Sequence, residues 1–447
     1  MVRGGGAWLP VRWLGASGLV IGVALFTAWF ALWNAVSPEV GRFNDKSEFY
    51  VFQTFRLAHE YPLTPTGGFL VRNDEHVPSA TFREEQATLH APKRDLTLLP
   101  DPDHGKVHEL YFSQFGLQGR AASIAYAPLS WVLSADGYFH LIRLANMAAL
   151  ALTLCLLIEA MRREFGGYAA SVCAVGLIGS TWIIRYSGNV YWVVWTEFLP
   201  FTAAWLLYPA WRVRRPLAFL GVVGGLVAVK SLCGYEFISP VVMAVAVPVV
   251  YFELKAGATV VRVGVRAVQT MLAGSVGFFA ALAIHLGAMA TYLGDLRKTL
   301  SIVGDRAVLR TVGDDHTKEA VHALNGYDLK IAIKYLNAPV LQLEPGLSVP
   351  LWLVLLLAAG LVVAWWLFRR NEDTKRIGDL IAATAMAGVA SFSWLVLAPG
   401  HSRYHPHLNP IIFSLPLLPT LSVLLALIAA TLVRPRGVRA EDTEVKS

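Results

Sequence analysis

The chain has 447 residues, of which 55% are apolar and only 15% are charged. Soluble globular proteins carry about 25% charged residues, so this composition excludes an ordinary soluble domain. The net charge of +7 does not indicate a nucleic-acid partner, because the basic residues cluster where membrane topology requires them. The three dispersed cysteines have no metal-binding or redox spacing.

Apolar segments long enough to cross a bilayer alternate with short polar connections along the chain. Basic residues fall in every second connection, which is typical of the cytoplasmic side. We therefore predict an all-α polytopic membrane protein, one membrane domain over 1–447, multi-pass in the inner (plasma) membrane. Both termini are predicted to be cytoplasmic, with a tail at 434–447. About ten transmembrane helices are predicted, the first a retained signal anchor, near 12–36, 138–160, 168–186, 190–211, 216–230, 237–253, 267–292, 347–368, 377–398 and 410–433.

Two large extracytoplasmic segments are predicted, at 37–137 and 293–346. The first begins with a juxtamembrane helix over 45–60, which we expect to turn its apolar side chains to the membrane. These side chains are Phe49, Phe52, Phe55 and Leu57. The rest of the first segment is rich in proline, which favours loop structure.

Two carboxylates, Asp45 and Glu48, follow the first apolar run by about ten residues. Acids at this position lie at the height of lipid headgroups, where a lipid-borne substrate presents its phosphate. A carboxylate there can act as a general base towards a hydroxyl, or Asp45 can hold a divalent metal such as Mg or Mn. The simpler interpretation is the capped start of a solvated helix.

Other polar side chains are predicted at the same face of the membrane. A charge in or beside a span is costly and is by default a functional-site hypothesis. Glu197, about two turns into the fourth span, is expected to contact substrate or to pair with one of the cations. The remaining candidates lie in the turns after the third, fifth and ninth spans: Arg185, Tyr186, Asn189, Lys230, Tyr235, Glu236, His401, Arg403 and His405.

Carboxylates together with several cations suit transfer of a group from a phosphate leaving group. Nucleotide donors are not present outside the cytoplasm, and the chain has no GxxxxGK[ST] or GxGxxG phosphate cradle. A sugar transferred at this face would therefore come from a lipid phosphate.

This plan resembles the GT-C superfamily of polytopic glycosyltransferases, which use polyprenyl-phosphate sugars. The resemblance implies that Asp45 is the catalytic base, with Glu48 as second candidate. It also implies that basic residues of later outer loops hold the donor phosphate, and His401 and His405 are added to that group as phosphate or sugar contacts. The phosphate-binding set is thus Arg403, Lys230, Arg185, His401 and His405, and the substrate-lining set is Glu197, Asn189, Tyr186, Tyr191, Trp192, Trp195, Tyr235 and Glu236.

The function predicted from these residues is transfer of a sugar from a polyprenyl-phosphate donor to a glycan, lipid or protein acceptor. One alternative is a lipid-linked glycan ligase, or an acyl- or phosphotransferase, that uses the histidines and arginine of 401–407. The other is a non-enzymatic transporter or flippase. Transporters usually place charges near the bilayer midplane and show repeated halves, whereas the charges here crowd one face.

Overall fold

The computed structural model of the protein describes residues 16–41, 45–60, 69–73, 98–100, 107–311, 329–344, 347–368 and 374–433, and the predicted tail at 434–447 lies outside them. The described part is mostly helical. The helices in chain order are α1 (Ala16–Val36), α2 (Pro38–Gly41), α3 (Asp45–Glu60), α4 (Leu117–Leu129), α5 (Ala135–Phe165), α6 (Gly167–Ile178), α7 (Thr181–Tyr186), α8 (Trp195–Arg214), α9 (Pro216–Cys233), α10 (Ile238–Ala244), α11 (Ala246–Lys255), α12 (Val260–Leu293), α13 (Leu296–Thr311), α14 (Leu329–Leu336), α15 (Leu351–Phe368), α16 (Thr374–Leu397), α17 (Pro399–Tyr404) and, after a π-helical turn over Phe413–Leu417, α18 (Leu418–Val433).

Eight helical segments within the described residues are long and apolar enough to cross a membrane. They are Ser17–Val36, Ala135–Phe165, Pro216–Cys233, Ile238–Lys255, Val260–Leu293, Leu351–Phe368, Thr374–Leu397 and Phe413–Val433. This confirms a multi-pass helical membrane protein.

The prediction of ten spans stays a prediction, because two of the predicted segments differ in the structure. The segment predicted at 168–186 consists of α6, with 12 residues, and α7, with 6. Ser180 separates them and caps α7, since its hydroxyl accepts the N–H of Ile183 at 3.4 Å. The segment predicted at 190–211 starts as a non-helical turn and becomes helical only at Trp195.

Close packing of two spans depends on a pair of glycines. A Cβ added at Gly277 of α12 would lie 2.0 Å from the carbonyl oxygen of Gly224 in α9. Small residues of this kind let the backbones of membrane helices approach each other. Helix α9 ends at Cys233, and the loop after it carries part of the site described below.

Two small antiparallel sheets lie outside the spans and were not predicted. Strands β1 (Leu70–Asn73), β2 (Leu98–Pro100) and β3 (Val107–Tyr111) pair in the order β1-β3-β2, with Leu70 opposite Tyr111. Strands β4 (Pro339–Glu344) and β5 (Leu347–Pro350) form a hairpin. The fold is therefore a helical bundle with two minor sheets, one in each large connecting segment. We call the end of the bundle that carries 37–137 and 293–346 the cap side.

Helix α3 has the predicted bounds, but its apolar residues do not all face the membrane as expected. Phe55 and Leu57 are buried, and only Phe49 of the four is exposed. The ring of Phe55 packs edge-on against Tyr126 of α4 and Tyr138 of α5, each at 5.1 Å. Packing against α4 and α5 takes these side chains away from lipid, so α3 is a wall of the cap.

The two large segments pack together on the cap side. Phe69, before β1, contacts the ring of Phe112 at 4.9 Å and that of Tyr292, in α12, at 5.9 Å. Leu57, Val71, Leu110 and Met289 complete the buried part of this apolar cluster, and Ile302 and Val303 of α13 pack against it. Helix α13 is thereby fixed beside the first segment, and a cavity lies between them.

Candidate functional site

A cavity of about 540 Å³ lies on the cap side, between the two large segments and three turns of the bundle. Helix α3, strand β3 and helix α13 form its sides, and the turns before α8, before α10 and after α17 complete it. Its lining residues are Ser47, Tyr50, Tyr111, Ser113, Tyr191, Trp192, Glu236, Arg306, Leu309, Arg310, His401, His405, His407 and Leu408.

The turn over 187–194 presents Tyr191 and Trp192 to the cavity. The side-chain oxygen of Asn189 accepts the backbone N–H groups of both residues, each at 3.1 Å. The side-chain amide of Gln118 donates to the carbonyl of Tyr191 at 2.8 Å. Val193 has a φ of +46°, which is rare for a β-branched residue and persists only where surrounding contacts enforce it. The predicted substrate contact Asn189 therefore shapes the turn.

Glu48 holds the same turn from the other side. Its carboxylate accepts the N–H of Val190 at 3.0 Å and lies 3.7 Å from the guanidinium of Arg143. Glu48 is buried and does not line the cavity. Asp45 begins α3, the helix that brings Ser47 to the cavity, and its side chain lies outside the described residues.

Glu236 is the only carboxylate that lines the cavity among the described residues. Its Oε1 accepts a hydrogen bond from the Nη2 of Arg310, in α13, at 2.8 Å. Burial alone would raise the pKa of the Glu236 carboxyl, but the positive charges of Arg310 and Lys230 outweigh burial and hold that pKa below its usual value. Glu236 is therefore ionised at neutral pH.

The position of Glu236 depends on Gly234. A Cβ at Gly234 would lie 2.6 Å from the Oε2 of Glu236 and 2.9 Å from the Oε1 of Gln114. Any larger residue would push the carboxylate or the amide out of place. Phe237 follows with a φ of +59°, and its ring stacks on that of Trp192 at 5.6 Å. The two turns therefore support each other across the floor of the cavity.

Lys230 and Glu197 form a buried ion pair at 3.5 Å behind the cavity. The ammonium of Lys230 also donates to the carbonyl of Gly234 at 3.1 Å. Neither residue lines the cavity. The structure thus places Lys230 on a carboxylate and a carbonyl of the protein itself, and Glu197 has its cationic partner there.

His401 and His405, which were predicted to touch phosphate or sugar, line the cavity together with His407. The ring centroids of His401 and His405 are 4.7 Å apart, and those of His405 and His407 are 5.7 Å apart. Burial, opposed by the nearby Glu236 carboxylate, lowers the pKa of His401 to about 3, and burial together with His407 lowers the pKa of His405. No group of three potential metal ligands occurs among the described residues.

Four other predicted site residues do not line the cavity. Arg403 is exposed on α17, and the guanidinium of Arg185 lies over the ring of Trp182 at 5.1 Å. Tyr186 is buried and donates its hydroxyl to the carbonyl of Leu408 at 3.0 Å. Trp195 is half-buried as the first residue of α8.

Tyr235, another predicted substrate contact, does not line the cavity either. Its hydroxyl is 2.8 Å from the Nδ1 of His285, a buried residue of α12. Tyr235 therefore ties the loop after α9 to the neighbouring span, one residue before Glu236.

Several lining residues were not predicted from the sequence, above all Arg306 and Arg310 of α13. Their spacing of four residues puts two cations on one face of a helix, and this pattern could have indicated them from the sequence. Tyr50 and Tyr111 were also missed. Their rings pack at 5.3 Å, and each contacts the ring of Tyr191.

Comparison of the chain with protein-family models, with curated proteins and with solved structures finds no match.

Proposed function

We propose that the protein is a membrane glycosyltransferase of the GT-C type, which moves a sugar from a polyprenyl-phosphate donor to an envelope glycan, lipid or protein acceptor. The observation that supports this best is the composition of the cavity. One ionised carboxylate, two arginines and a group of aromatic rings meet beside the ends of membrane-spanning helices. These are the groups that a sugar, a phosphate and an attacking hydroxyl require.

Glu236 is the proposed general base. An acceptor hydroxyl attacks the anomeric carbon and forms a new C–O bond, while its proton passes to the carboxylate of Glu236. The bond from the anomeric carbon to the phosphate oxygen breaks, and the electron pair leaves with the lipid phosphate. Arg310 keeps the base ionised before the reaction, because its guanidinium contacts the carboxylate at 2.8 Å.

Arg306 and Arg310 are the proposed contacts of the departing phosphate. Both line the cavity from α13, and Arg306 is exposed to it. Arginine binds phosphate oxygens through several N–H groups and stabilises the negative charge that grows as the bond breaks. Asp45 is the second candidate for the base, because α3 reaches the cavity two residues later, at Ser47.

The test is an envelope-glycan profile by mass spectrometry from a strain that lacks the protein. The strain is re-supplied with the intact protein, Glu236→Gln, Asp45→Asn or Asp305→Asn at equal membrane levels. Asp305 is an exposed acid of α13 that does not line the cavity, so Asp305→Asn is the matched control. We expect a missing sugar that the intact protein and Asp305→Asn restore and Glu236→Gln does not.

Other outcomes have defined meanings. Restoration by Glu236→Gln but not by Asp45→Asn would move the role of base to Asp45. A profile with no missing sugar would contradict glycosyl transfer and favour a transporter.

The row of histidine rings in the cavity favours one second candidate, a phosphotransferase with a histidine nucleophile. Its product would carry phosphorus from the donor. Labelling the donor with ³²P distinguishes the two reactions, because glycosyl transfer leaves all of the label on the lipid.

A further inference from the structure

A small crevice lies between α8, α9 and α12, at the end of the bundle opposite the cap side. The three helices meet there because α8 ends at Arg214, α9 begins at Pro216 and α12 begins at Val260. The crevice has a volume of about 20 Å³, and its lining residues are Tyr208, Arg212, Pro216, Phe219, Leu220, Arg266, Gln269 and Thr270. It shares no residue with the cavity that carries the proposed reaction.

The crevice offers positive charge and hydrogen-bond donors. The hydroxyl groups of Tyr208 and Thr270 already donate to a carboxylate and a carbonyl of the protein, each at 2.9 Å. The side-chain oxygen of Gln269 accepts the Nη1 of Arg266 at 3.2 Å, and its amide nitrogen can only donate. Together with the guanidinium groups of Arg212 and Arg266, this amide matches a ligand that only accepts, such as a phosphate.

The surroundings of the crevice carry net positive charge. Arg212 and Arg262 share one carboxylate, that of Glu253, at 3.7 Å and 3.2 Å. Arg214 and Arg215 follow at the end of α8 and are exposed, and they add two further positive charges. A basic pocket at the end of membrane-spanning helices is the kind of site that binds anionic lipid headgroups.

The size and the surroundings of the crevice favour a lipid over a soluble phosphate compound. A volume of about 20 Å³ holds one water-sized group, so the crevice can take a phosphate oxygen but cannot enclose a sugar phosphate or a nucleotide. Next to it, α12 carries an apolar strip of four exposed side chains at helical spacing, Val265, Val268, Leu272 and Val276. The strip runs from the crevice along a membrane-spanning helix, where it can contact an acyl chain.

We propose that this crevice binds the phosphate of an anionic phospholipid. Arg212 and Arg266 contact the phosphate oxygens, and an acyl chain lies along the apolar strip of α12. The glycerol headgroup of phosphatidylglycerol adds no positive charge, whereas the choline of phosphatidylcholine would meet the surrounding arginines. The bound lipid joins the ends of α8, α9 and α12. This inference does not depend on the proposed reaction, because the crevice and the cavity lie at opposite ends of the bundle.

The test is native mass spectrometry of the full chain in detergent, titrated with phosphatidylglycerol or with phosphatidylcholine of the same acyl chains. We expect phosphatidylglycerol to bind at least about tenfold more tightly. Equal binding of the two lipids overturns the proposal. Glycerol 3-phosphate, which lacks acyl chains, is the soluble competitor. Displacement of the lipid by an equal concentration of glycerol 3-phosphate would show a site for a soluble phosphate compound and would overturn the assignment to a lipid.

Two arginine substitutions separate the crevice from the charged surface around it. Arg266→Gln removes a guanidinium from the lining, and Arg214→Gln removes the same charge from an exposed position outside it. Loss of a direct charged contact should weaken phosphatidylglycerol binding at least about tenfold in Arg266→Gln. Loss of a surface charge should weaken it no more than about fivefold in Arg214→Gln. Equal weakening would show attraction to a charged surface only and would overturn the site.

A third variant changes the crevice with little risk to folding. Gln269→Glu keeps the size of an exposed side chain and places a negative charge among the lining residues. The new carboxylate would pair with Arg266 and repel the phosphate, so phosphatidylglycerol should bind at least about tenfold more weakly. Thermal unfolding in detergent checks that the variant is folded. Unchanged lipid affinity in folded Gln269→Glu overturns the proposal.

Discussion

Carboxylates lie beside arginines at both ends of the helical bundle, but the spaces that the described residues form next to them differ in size. On the cap side, Glu236 faces a cavity of about 540 Å³. At the opposite end, Glu159, Glu164 and Glu253 form what we call the belt, and the space beside its Arg212 is about 20 Å³. A buried ion pair by itself therefore does not indicate chemistry.

The belt carboxylates each pair with cationic side chains of the protein. Glu253 accepts the hydroxyl of Tyr208 at 2.9 Å and lies 3.2 Å from Arg262 and 3.7 Å from Arg212. These partners come from α8 and α12, so the belt ties neighbouring helices together. Glu236 contacts one arginine directly and keeps its second oxygen near Gly234. The comparison suggests that the belt serves assembly and the cavity serves reaction.

The largest expected effect on activity comes from Gly234→Ala. The new methyl group would lie 2.6 Å from the Oε2 of Glu236, so the carboxylate must move. Displacement of a catalytic group by about 1 Å costs on the order of a hundredfold in rate. We expect at least that loss in the glycan assay, with little change in the amount of folded protein.

Gly221→Ala is the control for this substitution. Gly221 lies in α9, and nothing comes within 4 Å of a Cβ placed there. It should retain full activity. Full activity in Gly234→Ala would show that Glu236 tolerates displacement, and the cavity would lose its proposed base.

The second prediction concerns a substitution in the belt instead of one at the cavity. Glu253→Gln removes the negative charge that Arg212 and Arg262 share, and because these arginine side chains are 29% and 62% exposed, the loss is on the order of 1 kcal/mol. Thermal unfolding in detergent should therefore start at a slightly lower temperature, while activity per folded molecule stays unchanged. Glu236→Gln should instead lose activity per folded molecule, whatever its unfolding temperature. A loss of activity in Glu253→Gln at equal folded amounts would contradict the division between belt and cavity.

The spans could be predicted from the sequence because a long apolar run has only one stable solution in lipid. Eight of the predicted segments appear as long apolar helices, and α3 has the bounds that its polar start and charged end indicated. The first sheet could not be predicted, because its strands have only three to five residues and β1 lies far from the other two in the chain. The burial of Phe55 is likewise set by α4 and α5 and not by the sequence of α3.

The candidate site was predictable as a region but not as a set of contacts. The sequence indicated that the turns carrying Tyr191, Glu236 and His401 lie at one face, and the structure brings these three residues to one cavity. Which charges face inward depends on tertiary packing. Lys230 pairs with Glu197, whereas Glu236 pairs with Arg310 of α13, which was not among the predicted site residues.

A pH profile would sharpen the role of Arg310. Burial would raise the pKa of Glu236, but the charge of Arg310 holds that pKa below its usual value. The carboxylate therefore stays ionised when the pH falls to the usual pKa of a glutamic acid. Activity should therefore decline only below the usual titration range of a glutamate. In Arg310→Gln, burial would dominate, and the acid limb should move to higher pH. An unmoved limb would mean that another group carries the acid limb.

The smallest expected effect comes from removing a single tyrosine hydroxyl, either in the cavity wall or in the belt. Tyr191→Phe removes the hydrogen bond from Tyr191 to the hydroxyl of Tyr111, at 3.3 Å in the cavity wall. A neutral hydrogen bond contributes about 1 kcal/mol to folding, so the unfolding temperature should fall slightly, and because Tyr191 lines the cavity, kcat/KM should fall as well. Tyr208→Phe removes an equivalent hydroxyl from the belt, where it donates to Glu253 at 2.9 Å. It should lower the unfolding temperature and leave kcat/KM unchanged. If both variants lost activity alike, the hydroxyls would act through overall packing. The result would then contradict the assignment of the cavity as the substrate site.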